Sequence, residues 1–374
     1  MTDPSSKTNR NASPASRPVS PRPLEVDRKA VHPVRTDDGV ELLLTRYQGG
    51  EKGPVVLSHC IGVSSRMYST TFVSQNLLES LYDHGYDVWL LDFRFSIDLP
   101  SAEEPHSMDA VAQQDYPAAI DAVRDAAGVE SVQVVAHGVG ASTLTMALLT
   151  GLDGVRSVVF SQVSTHVLVA PLAQLAARLR ANQGLKLLGH RFVSPDVPAE
   201  PGLRDRLVNW LLNFYPLDEE EQCDNPVCHR ITGIYGLMWE HDRIDPSIHD
   251  HLASLFGPAN LEGLSQLSRI ARRRHLVNRH GGDVYLPHLE RLALPAAFLH
   301  GSENMCVLPR STALTYKRLR RTNDPDLYRR HVLPGYGHID CILGKDAPQD
   351  VYPYILEHLE ATARAGRGEG RAAP

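Results

Sequence analysis

The chain is short of lysine, of cysteine and of long apolar runs, and each shortage closes off a class of function. Six lysines stand beside 32 arginines, and the net charge is −6 with a pI near 6.3. Such a chain carries no basic footprint for nucleic acid or anionic lipid. No apolar run approaches the roughly 18 residues that span a membrane. The opening "MTDPSSKTNRNASPASRPVSPRP" has no apolar signal-peptide core, so a cytoplasmic protein is expected. Five cysteines (Cys60, Cys223, Cys228, Cys306, Cys341) are too few for a disulfide scaffold. Cys223 and Cys228, in "CDNPVCH", stand close enough to pair, or to bind metal with His229. The paired spacing that marks zinc sites is absent, so reduced thiols and no metal are expected.

What remains is an ordinary globular composition, 42% hydrophobic and 22% charged. Residues 1–25 and 362–374, polar and rich in Ser, Pro, Arg and Gly, read as disordered tails. Residues 26–162 and 291–361 alternate strand and helix patterns. "VHPVR" and "VELLLTRY" flank the hairpin signal "TDDG". Short apolar runs follow at 54–59, 86–92, 132–136, 155–162, 295–301 and 329–335, and a helix is expected near 69–84. This alternation predicts a mostly parallel sheet with helices on both faces. Between 163 and 290 only helical patterns appear, such as "PLAQLAARLRANQGLKLLG", "LRDRLVNWLLNFY" and "LSQLSRIARRRHLVN". More than about 15 residues is too long for a plain loop, so this interval is expected to be a helical cap inserted before the penultimate strand.

The most informative absence is a single side chain. "VQVVAHGVGAS" (132–142) runs from an apolar strand through a turn of small residues into a helix. That is the outline of a nucleophile elbow, G-x-S-x-G, in which Gly138 takes the nucleophile's place. A dinucleotide turn is the weaker reading, because the third glycine is missing. In "SHCIGVSS" (58–65), the N–H of Ile61, with that of Val139 beyond the elbow, is expected to form an oxyanion hole. His59, Cys60 and His137 border the same space and are expected to touch substrate. Cys60 is either a small buried thiol or a displaced nucleophile. "HGSENMCVLP" places Asn304, with Glu303 beside it, where an acid would orient a base, and "PGYGHID" offers His338 as that base. Asp92 and Asp340 are reserve partners for the histidine. "ARRRH" (271–275) reads as a solvated cap face or an anion contact.

These motifs resemble the α/β-hydrolase superfamily. "GYDVWL", "GSENMCVLP" and "GHID…DAPQDVY" are similar to the acid (gastric and lysosomal) lipases. "SQVSTH", "HGSEN…LP" and "PGYGHIDCILGK" look closer to hydrolase-like domains fused to glucose–methanol–choline oxidoreductases of the cholesterol-oxidase type. In those domains the elbow reads A-H-C-x-G with a cysteine nucleophile, so the resemblance implies that Gly138 replaces a cysteine, by inactivation or natural loss. The implied activity is acyl transfer by a Cys-His-Asn or Cys-His-Glu triad, as hydrolase, acyltransferase or cyclase, without a cofactor. Its substrate would be an apolar ester, thioester or lactone, free or linked to CoA or a carrier protein. The alternatives are nucleophile-free chemistry with His338 as base, as in lyases on this fold, and a non-catalytic ligand-binding homologue.

Overall fold

The structure is a computed structural model that describes residues 21–363 apart from 28, 180, 199, 201, 203–205, 207–209 and 211–216. The tail sequences up to residue 20 and beyond 363, and most of "LRDRLVNWLLNFY", lie outside the described residues.

Eight strands build one sheet: β1 (Lys29–Arg35), β2 (Glu41–Gln48), β3 (Pro54–Ser58), β4 (Asp87–Asp92), β5 (Val132–His137), β6 (Val155–Ser161), β7 (Ala296–Gly301) and β8 (Tyr328–Leu333). Their spatial order is β1-β2-β4-β3-β5-β6-β7-β8. Only the β1–β2 and β2–β4 pairings are antiparallel. The expected hairpin forms at Thr36–Gly39, where Gly39 takes φ 85°. Strands β3, β4, β5 and β7 are buried at every residue. Successive side chains point to opposite faces, so both faces of the sheet are covered, as parallel sheets require.

Helices α1 (Leu77–Asp83), α2 (Tyr116–Ala127), α3 (Val139–Thr150), α4 (Pro171–Arg178), α5 (Ala181–Leu187), α6 (Pro226–Tyr235), α7 (Leu261–Arg273), α8 (Arg310–Thr322) and α9 (Tyr352–Ala363) supply the main helical layers. Helix α1 begins at 77 rather than near 69. The preceding "STTFVSQ" is built of Ser, Thr and Val, which favour other conformations, and Asn76 then starts the helix with a full capping box to Glu79. Between β6 and β7 the described elements are helices joined by loops, apart from one two-residue antiparallel pair, Phe192–Val193 with Ala259–Asn260.

A buried ion cluster fixes the outer end of the sheet. Arg94, just past β4, is wholly buried and pairs with Asp115 at 2.6 Å and with Asp38 of the β1–β2 turn at 2.8 Å. Three segments distant in sequence thus meet at one guanidinium, and removing its buried partner would leave the charge with only the half-exposed Asp38. We expect Asp115→Ala to cost about 3–5 kcal/mol of stability. Asp38→Ala, at a half-exposed carboxylate, should cost about 1 kcal/mol or less. Urea denaturation of the two variants checks the contrast, and equal costs would refute it.

Candidate active site

The elbow forms where β5 ends. Gly138 has φ 56° and ψ −120°, a conformation that L-residues adopt only under strain. Its N–H donates to the Ser161 carbonyl at 3.1 Å, and its own carbonyl accepts from Ser142 N–H at 3.1 Å. Two residues on, Gly140 is required by packing: a Cβ there would lie 2.3 Å from the His59 carbonyl oxygen. Strand and helix therefore meet as closely as an elbow demands. A Cβ built on Gly138 itself would lie 3.0 Å from His338 Nε2 and 2.6 Å from Cys60 Sγ. Imidazole and thiol thus flank the point where a nucleophile's side chain would start.

His338 is held from three sides. Its backbone N–H donates to the Met238 carbonyl at 3.0 Å. Its Nδ1 lies 3.0 Å from Asn304 Nδ2, and its ring meets His137 edge-on at 4.9 Å. The Asn304 amide is anchored at both ends. Its Oδ1 accepts the Val307 N–H at 3.0 Å, and its Nδ2 donates at 2.8 Å to Gln162 Oε1. That Gln162 oxygen also accepts the Gly301 N–H at 3.0 Å. Backbone donors therefore assign both amides, and Asn304 presents a donor to His338 Nδ1. A neutral imidazole accepting at Nδ1 carries its proton on Nε2. Burial, followed by the nearby His137 and His300, holds the His338 pKa well below the ordinary histidine value, so the ring is neutral. Asn304, the expected partner of His338, faces Nδ1 as a donor and so selects the tautomer with its proton on Nε2, toward the elbow.

The oxyanion loop is occupied by its own side chain. Cys60 Sγ accepts the Val139 N–H at 3.3 Å. Burial pushes the thiol up to about 11, and the N–H groups of Val139 and Ile61 offset only part of this. Five of the expected residues need correction. His59 is wholly buried, stacked on Phe93 at 4.2 Å, with Nδ1 at the Cys60 carbonyl; it packs in the core and does not line the cavity. His137 is also wholly buried, with Nδ1 3.0 Å from Ser161 Oγ and its pKa pushed down to about 3 by burial. It supports His338 from behind and does not meet substrate. Glu303 is exposed and accepts from Ser302 Oγ, because the loop turns Asn304 inward and so turns its neighbour out. Asp92 is committed to Ser65 and Ser96, and Asp340 to the N–H groups of Gly337, Glu240 and Cys341, so neither reaches His338.

A cavity of about 370 Å³ opens onto Gly138, Val139, Ile61, Cys60 and His338. Its far walls come from α4, α6 and α7 and are mainly apolar, a size and character suited to a small-molecule ligand. The sequence reading missed Tyr235 at the end of α6. It lines this cavity, and its buried hydroxyl has no hydrogen-bond partner among the described residues. It also missed Gln162, whose positive φ of 77° carries no sequence signal. "ARRRH" ends α7, where Arg273 and Arg274 are exposed. Of the described cysteines and histidines between β6 and β7, one group comes together. The fold brings ligand atoms of Cys223, Cys228, His241 and His249 within 4.8 Å of one another. His229 is outside this group, with Nε2 at the Cys223 carbonyl.

Comparison with known proteins agrees with the fold. Residues 53–345 match the α/β hydrolase fold family, and the chain belongs to it. It is 25% identical over 361 residues to a gastric triacylglycerol lipase of Mus musculus, covering 86% of each chain. It is likewise 25% identical over 373 residues to Lipase lipl-3 of Caenorhabditis elegans, covering 87% of each. Among solved structures, an esterase of Thermogutta terrifontis superposes with TM-score 0.54 at 15% identity, over 90% of this chain and all of that one. An esterase of Pyrococcus furiosus gives 0.52 at 14%, over 90% and 92%. The expected fold and the likeness to acid lipases are thus borne out.

The buried imidazoles generate a pH prediction. Burial lowers His137 to about 3 and His300 to about 4, and places His338 well below its ordinary value. Each should take up a proton only on unfolding. Stability should therefore fall as pH drops below about 6.5, by about 1.4 kcal/mol per pH unit for each histidine. Asp340, raised to about 7 by burial, acts in the opposite sense and offsets one of them. Denaturation midpoints between pH 7 and 4.5 check the sign. In the same range ¹⁵N imidazole NMR should find His338 neutral and protonated on Nε2, and an Nδ1–H tautomer would refute the assignment.

Proposed function

We infer that the cavity binds an apolar acyl ester, thioester or lactone, and that the site is an esterase- or lipase-type acyl-transfer centre whose thiol nucleophile at 138 is replaced by glycine. One observation carries this reading: the start of a side chain at 138 would lie 3.0 Å from His338 Nε2, at the mouth of the apolar cavity. The lipases and esterases among its relatives support the substrate class.

With a thiol at 138, the S–H proton would pass to His338 Nε2 as sulfur attacks the carbonyl carbon. The N–H groups of Ile61 and Val139 would hold the oxyanion. The alcohol would leave with the proton returned from Nε2, and water would then hydrolyse the thioester to acid and free thiol. This cycle needs the lone pair on Nε2 and a proton on Nδ1, the opposite of the tautomer Asn304 selects. In the glycine form His338 is a hydrogen-bond donor to a bound carbonyl or leaving oxygen, which argues against nucleophile-free base catalysis. Cys60 must also vacate the oxyanion hole before a carbonyl enters.

The position of Cys60 favours a second reading, in which its own thiol, 2.6 Å from the missing Cβ, is the nucleophile. Its raised pKa argues that this would be slow.

The test is hydrolysis of medium-chain p-nitrophenyl esters, with intact-protein mass spectrometry for acyl adducts. The chain itself should be near background, since loss of such a nucleophile costs on the order of 10⁶ in kcat. Gly138→Cys alone should gain little because its Cβ collides with Cys60 Sγ. Gly138→Cys with Cys60→Gly should remain slow while Asn304 holds the Nε2–H tautomer, and adding Asn304→Asp should then give an acyl adduct and a gain of at least about 100-fold. A triple variant that is folded yet neither acylated nor active overturns the first reading. Wild-type turnover abolished by Cys60→Ala establishes the second in its place.

A further inference from the structure

We propose that Cys223, Cys228, His241 and His249 form a structural zinc site that braces the wall of the cavity. The four are separated by four, twelve and seven residues. The first two intervals fall within zinc-finger spacing, and only the interval between the histidines is longer.

The geometry fits the metal. All four ligand atoms lie within 4.8 Å of one another, and Cys228 Sγ is 3.6 Å from His241 Nε2. A tetrahedral ion with Zn–S of about 2.3 Å and Zn–N of about 2.0–2.1 Å has an S···N edge of about 3.6 Å. The histidines are oriented for it. His241 Nδ1 lies 2.6 Å from Glu221 Oε2, leaving Nε2 toward the thiols, the carboxylate–histidine arrangement common behind zinc ligands. His249 Nε2 is buried without a hydrogen-bond partner among the described residues, an arrangement that a metal bond would satisfy. The imidazoles meet at 61° with centroids 5.2 Å apart. Two thiolates and two imidazoles select zinc over hard cations, and four protein ligands leave no open position for catalysis. Binding would release the two thiol protons to solvent.

The ligands are tied to one another and to the cavity. Asn225 caps α6 through the N–H groups of Val227 and Cys228, and its Nδ2 donates to the His249 carbonyl at 2.8 Å. The last turn of α6 lines the cavity, and Met238, between Cys228 and His241, supplies the carbonyl that holds the His338 N–H. An ion here would pin both the wall and the histidine loop. The site is independent of how the acyl chemistry is read.

The measurement is metal content of the full chain, purified under reducing conditions without chelator. Inductively coupled plasma mass spectrometry should find about one zinc per chain. Cys228→Ser and His249→Ala should lose most of it, while His229→Ala keeps it. Chelation of the wild type should lower its Tm by several degrees. Because the ligand variants can misfold, cobalt(II) is also exchanged into the wild type, where intense tetrahedral d–d bands with thiolate-to-cobalt charge transfer are expected. A reduced wild type that carries no stoichiometric metal and takes up none overturns the proposal. So does a Cys223–Cys228 disulfide in the native protein, or zinc lost from His229→Ala but kept in His249→Ala.

Discussion

The chemistry of this site depends on which way one buried amide faces. Turning Asn304 over would set its nitrogen against the Val307 N–H and its oxygen against Gln162 Oε1, while Gly301 N–H prevents Gln162 from turning with it. Each buried polar group left facing its like costs on the order of 1–3 kcal/mol. The amide is therefore locked by main-chain groups of the β7 strand end and the loop after it. It dictates the tautomer of His338 from a distance of one hydrogen bond. A carboxylate in that place would accept a proton-bearing Nδ1 and leave Nε2 free as a base. An amide turned this way instead makes Nε2 the donor. Imidazolium, with protons on both nitrogens, would face the Asn304 N–H as well as the burial cost, so the neutral form is enforced twice.

The elbow and the oxyanion loop respond to the same vacancy. With no side chain at 138, the nearest group that can reach the Val139 N–H is Cys60, and its sulfur lies there. A buried N–H otherwise lacking a partner is satisfied in this way. The Val139 N–H is thus held by the Cys60 sulfur.

Much of this was legible because it rests on local chemistry. The strand runs, the Asp-Gly hairpin, the small-residue turn at 136–140 and the order elbow, Asn304, His338 each follow from residue types at fixed offsets. What escaped the sequence was the direction of side chains at loop entries. His59 and His137 stand beside the oxyanion loop and the elbow, yet both turn into the core, where Phe93 and Ser161 receive them. Glu303 and Asn304 are neighbours, and only the fold decides which one faces inward. Gln162, the second half of the amide lock, and Tyr235 gave no signal because their roles arise from backbone geometry and from packing between distant segments. The cysteine–histidine cluster was only half legible, since its first two intervals match zinc-finger spacing and only the fold brings His249 to the other three. Its ligands come from a turn, a helix and two later segments, and no helical period links them.

Backbone strain explains why the elbow persists without its side chain. The tight turn at 138 is set by the β5–α3 packing, by the Ser161 carbonyl and by the absence of room at Gly140, none of which needs a nucleophile. A side chain at that φ costs on the order of 1–3 kcal/mol, which active enzymes sustain because the strain presents the reacting atom. Glycine at 138 removes that cost and leaves the Val139 N–H in place. A glycine at this φ is free of that strain, and the turn stands on its packing alone. Any side chain placed at 138 must bear the strain and displace the Cys60 sulfur, so the two positions are coupled.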